Sequence, residues 1–195
     1  MQTEIKNLHA LPECYLITGA DPADKEGFLS QLEISLDSGI NLVQLRAKSL
    51  PDIEFQSLAE DVLRVCRQHR VRCLLNASPE LVIGLGADGV HLTGQQLQSV
   101  HQRPLSSEYL VGASCHTAAD LTQAMELGLD FAVLSPVLVT SSHPQSQSLG
   151  WSRFAELVIE AGLPVYALGG MRLDMIVEAQ NNGAQGVAGI SGFWG

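Results

Sequence analysis

Residues 162–170 read GLPVYALGG: a glycine, a short apolar run rich in β-formers, then a glycine pair. The segment before it, Trp151–Ala161, has apolar residues at helical spacing and stops at Gly162, where a left-handed C-terminal position favours glycine. The same unit recurs along the chain as GINLVQL (39–45), GADGVHL (86–92), GLDFAVL (128–134) and GAQGVAG (183–189). Each is a helix stop followed at once by an apolar strand. Worked outward, the pattern predicts eight strands: Cys14–Gly19, Leu42–Lys48, Arg72–Ser78, Gly89–Thr93, Tyr109–His116, Phe131–Val137, Pro164–Gly170 and Gly186–Gly192. Strands apolar on both faces, alternating with amphipathic segments, predict α/β structure with a covered parallel sheet. Eight units predict a closed (β/α)8 TIM barrel spanning residues 1–195 as one domain. An open doubly wound sheet is the alternative, and the lack of GxGxxG after the first strand weakens it.

The intervening segments carry the expected signals. Phe28, Leu32, Ser35 and Leu36 share one helical face, and Phe55, Leu58, Val62, Val65 and Cys66 another. Further helices are expected over Ala118–Leu127 and Leu173–Asn181, with Thr117 and Asp120, and Ser49 and Asp52, suited to helix starts. The segments after Ser78 and Thr93 are short enough to be single turns. Only Phe193, Trp194 and Gly195 follow the eighth strand, so a regular eighth helix is not expected. The N-terminal segment 1–12, with Ile5, Leu8 and Leu11 at helical spacing, is the expected cover for the gap, with Trp194 as its anchor.

The charge of −10 argues against a nonspecific nucleic-acid binder and an anionic membrane partner, while 46% apolar and 16% charged residues exclude disorder. Cys14, Cys66, Cys73 and Cys115 show no CxxC or metal-type spacing and read as buried free thiols in a reducing, cytoplasmic compartment. No signal pattern or membrane-length apolar run is present.

Chemistry on a barrel of this kind sits at the C-terminal ends of the strands. Gln44, Arg46 and Lys48 alternate there, and an amide with two cations suits an anionic ligand. Gly169-Gly170 and Gly189-Ile190-Ser191-Gly192 follow strands seven and eight, the frequent phosphate position of this architecture. His116 stands at the mouth as a candidate proton shuttle. His91, mid-strand, reads as a satisfied core histidine. The polar stretch Val139–Ser148 has the character of a lid or ligand clamp.

Seven motifs, LVQLRAK, LLNA, GADGVHL, GASCHT, LSPVLVTSSHP, YALGGM and GVAGISGFW, resemble in order the thiamine phosphate synthase and TenI (thiazole tautomerase) superfamily, from about Glu13 to Trp194. The SPVLVTSSHP…LGW version resembles a subgroup fused behind MutT-type Nudix hydrolases, and no Nudix box occurs in this sequence. A homodimer or a fused Nudix domain is therefore an expected partner, beside a small phosphate ester. The resemblance implies that Gln44, Arg46, Lys48 and Asn76 take a pyrimidine diphosphate. It implies that Ser114, Thr140 and Ser142 line the centre, and that Gly169, Gly170, Ile190 and Ser191 hold a thiazole phosphate. The family synthase joins the two with magnesium and releases pyrophosphate. Here Ala77 stands where one magnesium aspartate belongs, Gln96 stands near the other, and His143 replaces a lysine that would contact pyrophosphate. Asp21, Glu80 and Asp88 are the substitute acids on offer. The tautomerase branch lacks the same aspartates and keeps a histidine matching His116 as acid/base. The expectation is a tautomerase-like isomerase without metal or other cofactor. An active synthase using Mg²⁺, or a non-catalytic domain binding phosphate esters, are the alternatives.

Overall fold

The computed structural model describes residues 11–19, 24–139 and 147–194. The eight strands are β1 (Cys14–Ile17), β2 (Leu42–Leu45), β3 (Arg72–Leu75), β4 (Gly89–Leu92), β5 (Leu110–Cys115), β6 (Phe131–Leu134), β7 (Val165–Ala167) and β8 (Gly186–Gly189). They pair in sequence order, all parallel, and β8 closes on β1 with Cys14 opposite Val187 and Leu16 opposite Gly189. The expected closed TIM barrel is what forms.

Between the strands lie α1 (Lys25–Asp37), α2 (Asp52–Gln68), α3 (Pro79–Leu85), α4 (Gly94–Ser99), α5 (Ala118–Glu126), α6 (Gly150–Glu160) and α7 (Ile176–Asn181), the last entered through a 3-10 turn at Leu173–Met175. The apolar face of α1 is Phe28, Leu32, Ser35 and Leu36, as the spacing requires. Gly39, Gly86, Gly128, Gly162 and Gly183 all take positive φ at the helix ends. Thr117 closes a capping box with Asp120 at α5. The expected Ser49 cap is replaced: Pro51 occupies the N-cap of α2 and makes no side-chain bond there.

Two packed regions follow from strand alternation. Residues facing outward, such as Leu16, Val43, Cys73, Val90 and Val111, meet the helices in a continuous shell. Tyr15, Ile17, Leu42, Leu74, Leu110, Phe131, Val133, Tyr166 and Ala188 fill the interior. Gly112 is required inside: a Cβ there would overlap the Phe131 ring. Leu11 and Pro12 approach the interior from the N-terminal end, their carbonyls accepting from Gln185 Nε2 at 2.8 Å and Tyr166 OH at 2.6 Å.

The strands stop earlier than expected. β2 ends at Leu45 rather than Lys48, and β7 at Ala167 rather than Gly170. The residues beyond are the rim, and they line the cavities at the mouth. Among the described residues no helix follows β8. Phe193 enters the shell, and the Trp194 ring packs on Phe28 of α1 at 4.8 Å between centroids. The N-terminal segment before Leu11, expected to be the cover, lies outside the described residues. No helix among the described residues is long and apolar enough to cross a membrane.

Candidate active site

A cavity of about 580 Å³ opens at the C-terminal ends of the strands. Gln44, Arg46, Lys48, Asn76, Ser114 and His116 all line it. A second cavity of about 350 Å³ is lined by Gly169, Gly170, Ile190 and Ser191, and the two share Leu168, Gly169 and Ile190. Every expected site residue within the described chain thus reaches one connected mouth. Thr140, Ser142 and His143 lie outside the described residues.

Arg46 follows the last residue of β2, yet its backbone is pinned. Thr18 Oγ1 accepts from its N–H at 3.0 Å and donates to its carbonyl at 3.1 Å. Gln44 is 2% exposed, and among the described residues its Oε1 has no hydrogen-bond partner. A buried acceptor without a donor is costly, and this one lines the cavity where a ligand N–H or O–H would satisfy it. Asn76 commits its amide nitrogen to the carbonyl of His91 at 2.8 Å.

The second cavity is built from backbone. Gly169 and Gly170 sit at φ 101° and 71°, and a Cβ on Gly169 would come within 2.9 Å of Pro136 Cα. Only glycine fits that turn. The N–H groups of Gly170, Ser191 and Gly192 donate to no described residue, which leaves donors for an anion. Arg172, which the sequence reading missed, also lines this cavity, its guanidinium paired with Asp174 at 3.1 Å. Its signal was an extra cation two residues beyond the glycine pair.

His116 is exposed at the mouth and held by three contacts. Its backbone N–H donates to Asp120 Oδ2 at 2.9 Å, and its Nδ1 lies 2.9 Å from the carbonyl oxygen of Ser135 and 3.4 Å from the hydroxyl of the same residue. The carbonyl is the nearer of the two and only accepts, so Nδ1 donates to it and the lone pair that can act as base is that of Nε2. Burial works to raise the Asp120 carboxyl, but donation from the backbone N–H groups of His116 and Thr117 and from the Gln98 amide outweighs it and holds the group below the usual carboxylate range. Cys115, between Ser114 and His116, is no nucleophile: burial, with Asp120 nearby, pushes its thiol up to about 12.

His91 is the core histidine expected. It is 1% exposed, with Nδ1 3.1 Å from Tyr15 OH and Nε2 2.9 Å from Ser114 Oγ. Burial, aided by the charge of Arg46, lowers its pKa to about 3.

No aspartate or glutamate lines either cavity among the described residues. Gln96 uses its Oε1 to accept from Thr93 N–H at 2.8 Å in the α4 capping box. Asp88 is corrected: it precedes β4 at the opposite end of the barrel and accepts from Cys73 N–H at 2.8 Å. Glu80 stands in the first turn of α3 and Asp21 is outside the described residues. No cluster of three His, Cys, Asp or Glu is present among the described residues. Mg²⁺ prefers hard oxygen anions, so the described residues do not fit it.

The fold and mouth define a (β/α)8 barrel whose open end is lined by cations, amides and glycines and by no described carboxylate. A profile of the thiamine monophosphate synthase family matches residues 14–193, and the chain belongs to that family. "Putative thiamine-phosphate synthase 2" of Aquifex aeolicus is 37% identical over 183 residues, covering 94% of this chain and 98% of that protein. The thiamine-phosphate synthase of Fusobacterium nucleatum is 28% identical over 186 residues, covering 94% and 90%. The thiamine phosphate pyrophosphorylase structure from Pyrococcus furiosus superposes with a TM-score of 0.74 at 20% identity, covering 92% of this chain and 85% of that one. The motif resemblance is borne out at the level of the family. The relatives' names back the synthase alternative better than the tautomerase-like reading.

Proposed function

We propose that this chain is a cytoplasmic barrel of thiamine biosynthesis that binds a thiazole phosphate and isomerises a thiazole carboxylate phosphate, with His116 as acid and base. The observation that carries this is His116 Nε2, without a partner among the described residues, at the rim of a cavity in which no described carboxylate stands. The phosphate is held by the N–H groups of Gly170, Ser191 and Gly192. Arg46 and Lys48 face the ligand's carboxylate. Nε2 removes one proton from the anchored ring and returns it at a neighbouring atom, so a shuttle and an anchor suffice. No step runs through a metal.

The second reading is the coupling of a pyrimidine diphosphate with a thiazole phosphate. It is favoured by the names of the relatives and by the Arg46–Lys48 pair, which suits a diphosphate as well as a carboxylate.

The two separate in one set of assays. Isomerisation followed by NMR without divalent cation should proceed. It should fall about 10²–10⁴-fold in His116→Ala, the worth of one acid–base group, with thiazole phosphate affinity little changed. Formation of thiamine phosphate from pyrimidine diphosphate, dependent on Mg²⁺, would replace the first reading by the second. Tight binding with neither turnover would leave a binding domain.

A further inference from the structure

We propose that Tyr15, acting through His91, fixes the hydroxyl of Ser114 as a hydrogen-bond donor into the mouth, so that the ligand group meeting Ser114 must be an acceptor. Tyr15 and His91 touch no ligand in this scheme. They are positioning residues, and Ser114 is the contact. The proposal rests on the mouth being the ligand site, as argued above.

The argument follows the hydrogens. The Tyr15 phenol is fully buried, against Phe131 edge-on at 5.2 Å and Tyr166 at 5.7 Å. The Tyr166 hydroxyl gives its own hydrogen to the carbonyl of Pro12. Among the described residues the one partner of Tyr15 OH is His91 Nδ1, at 3.1 Å. A buried hydroxyl hydrogen without an acceptor is costly, so the phenol donates and Nδ1 accepts.

The imidazole proton then sits on Nε2, because burial and the charge of Arg46 keep the ring neutral at physiological pH. Nε2 donates to Ser114 Oγ at 2.9 Å. Having accepted there, Ser114 has its own hydrogen left over. Ser114 lines the mouth, and its Oγ has no other partner among the described residues. The hydrogen is therefore available to a ligand. The reverse tautomer would strand the phenol hydrogen and make Ser114 the donor to His91, which would present the ligand with an acceptor. One buried hydroxyl thus sets the polarity of a group two hydrogen bonds away.

The sequence hides this arrangement. Alternation puts Tyr15 and His91 inside the barrel, but that β1 reaches β4 across the interior comes only with closure.

The test has two independent arms. In the ¹⁵N-labelled protein at pH 7, His91, assigned by loss of its signals in His91→Gln, should show a pyrrole-type Nε2 and a pyridine-type Nδ1. The opposite tautomer overturns the proposal. In the second arm, Tyr15→Phe and Ser114→Ala should each weaken thiazole phosphate binding about tenfold, the worth of one hydrogen bond. Inorganic phosphate, seated in the glycine cavity, should bind both variants as it binds the parent. The double variant should bind thiazole phosphate no worse than Ser114→Ala alone. Additive losses would mean that Tyr15 acts by a separate structural route and would overturn the proposal. If the parent binds no thiazole phosphate, the proposed function fails, and the ring-nitrogen spectrum still decides the polarity of Ser114. The same spectrum decides it if Tyr15→Phe does not fold.

Discussion

His91 carries a consequence for stability as well as for polarity. Its folded pKa of about 3 lies below the ordinary value of 6.5, so between those limits the unfolded chain binds a proton that the folded chain refuses. Stability due to this group is complete above pH 6.5 and is lost as pH falls toward 3. By pH 4 the loss is about 3 kcal/mol. Urea unfolding midpoints should therefore decline from pH 6.5 to pH 4, while the His91 ring signals should not titrate in the folded protein over that range. A His91 signal titrating near 6.5 would contradict the burial that the Tyr15 and Ser114 contacts describe. Ser191 offers a second test at the same scale. Ser191→Glu adds like charge to the glycine cavity, and affinity for inorganic phosphate should fall at least tenfold by titration calorimetry. Unchanged affinity would put the anion elsewhere.

Among the elements, α5 does the most for the site because its first turn grips His116. Asp120 serves two ends: it completes the capping box with Thr117, and its Oδ2 takes the N–H groups of His116 and Thr117 at 2.9 and 3.0 Å. Thr117→Ala removes only the cap and should cost about 1 kcal/mol in denaturant titration. Asp120→Ala should cost more, and should also lower kcat with KM little changed, because the backbone under the imidazole is released. Equal effects of the two on kcat would deny Asp120 its hold on His116. The helix start was legible in the sequence as Thr117 with Asp120 three residues on; the grip on His116 was not, because it depends on where the β5 strand ends. The same limit explains the overlong strands. The alternating pattern continues past Leu45 through Arg46 to Lys48, and the apolar run past Ala167 to Leu168, but a ladder ends where its neighbour stops pairing, which no single segment records. Helix faces such as Phe28, Leu32, Ser35 and Leu36 were fully legible, since a 3.6-residue period is local. The glycine pair and the Gln44, Arg46, Lys48 alternation were legible for the same reason. Asp88 was misplaced because its position in the chain, just before β4, sets which end of the barrel it occupies.

Closure of the whole barrel turns on the seam between β8 and β1, where no helix follows β8 among the described residues. The side chains that fill it come from after β8. Phe193 packs in the shell, its carbonyl accepts from Ser35 Oγ of α1 at 3.2 Å, and Trp194 lies on Phe28. Gly19, just beyond β1, leaves the room: a Cβ there would meet the Trp194 indole at 2.8 Å. Two residues and one glycine thus pack the seam among the described residues, and α1 is shared between its own strand and the seam. Trp194→Ala should then destabilise the chain by about 2 kcal/mol, below the roughly 3–5 of a fully buried ring because Trp194 is only half-buried. The loss should appear as a lower urea midpoint with the slope retained. Gly19→Ala should act in the same direction by displacing the indole, and combined with Trp194→Ala it should add little, because the ring it displaces is gone. Additive losses, or a Trp194→Ala midpoint equal to that of the parent, would show that the seam is held by something other than the aromatic pair, and would return the N-terminal segment to consideration as its cover.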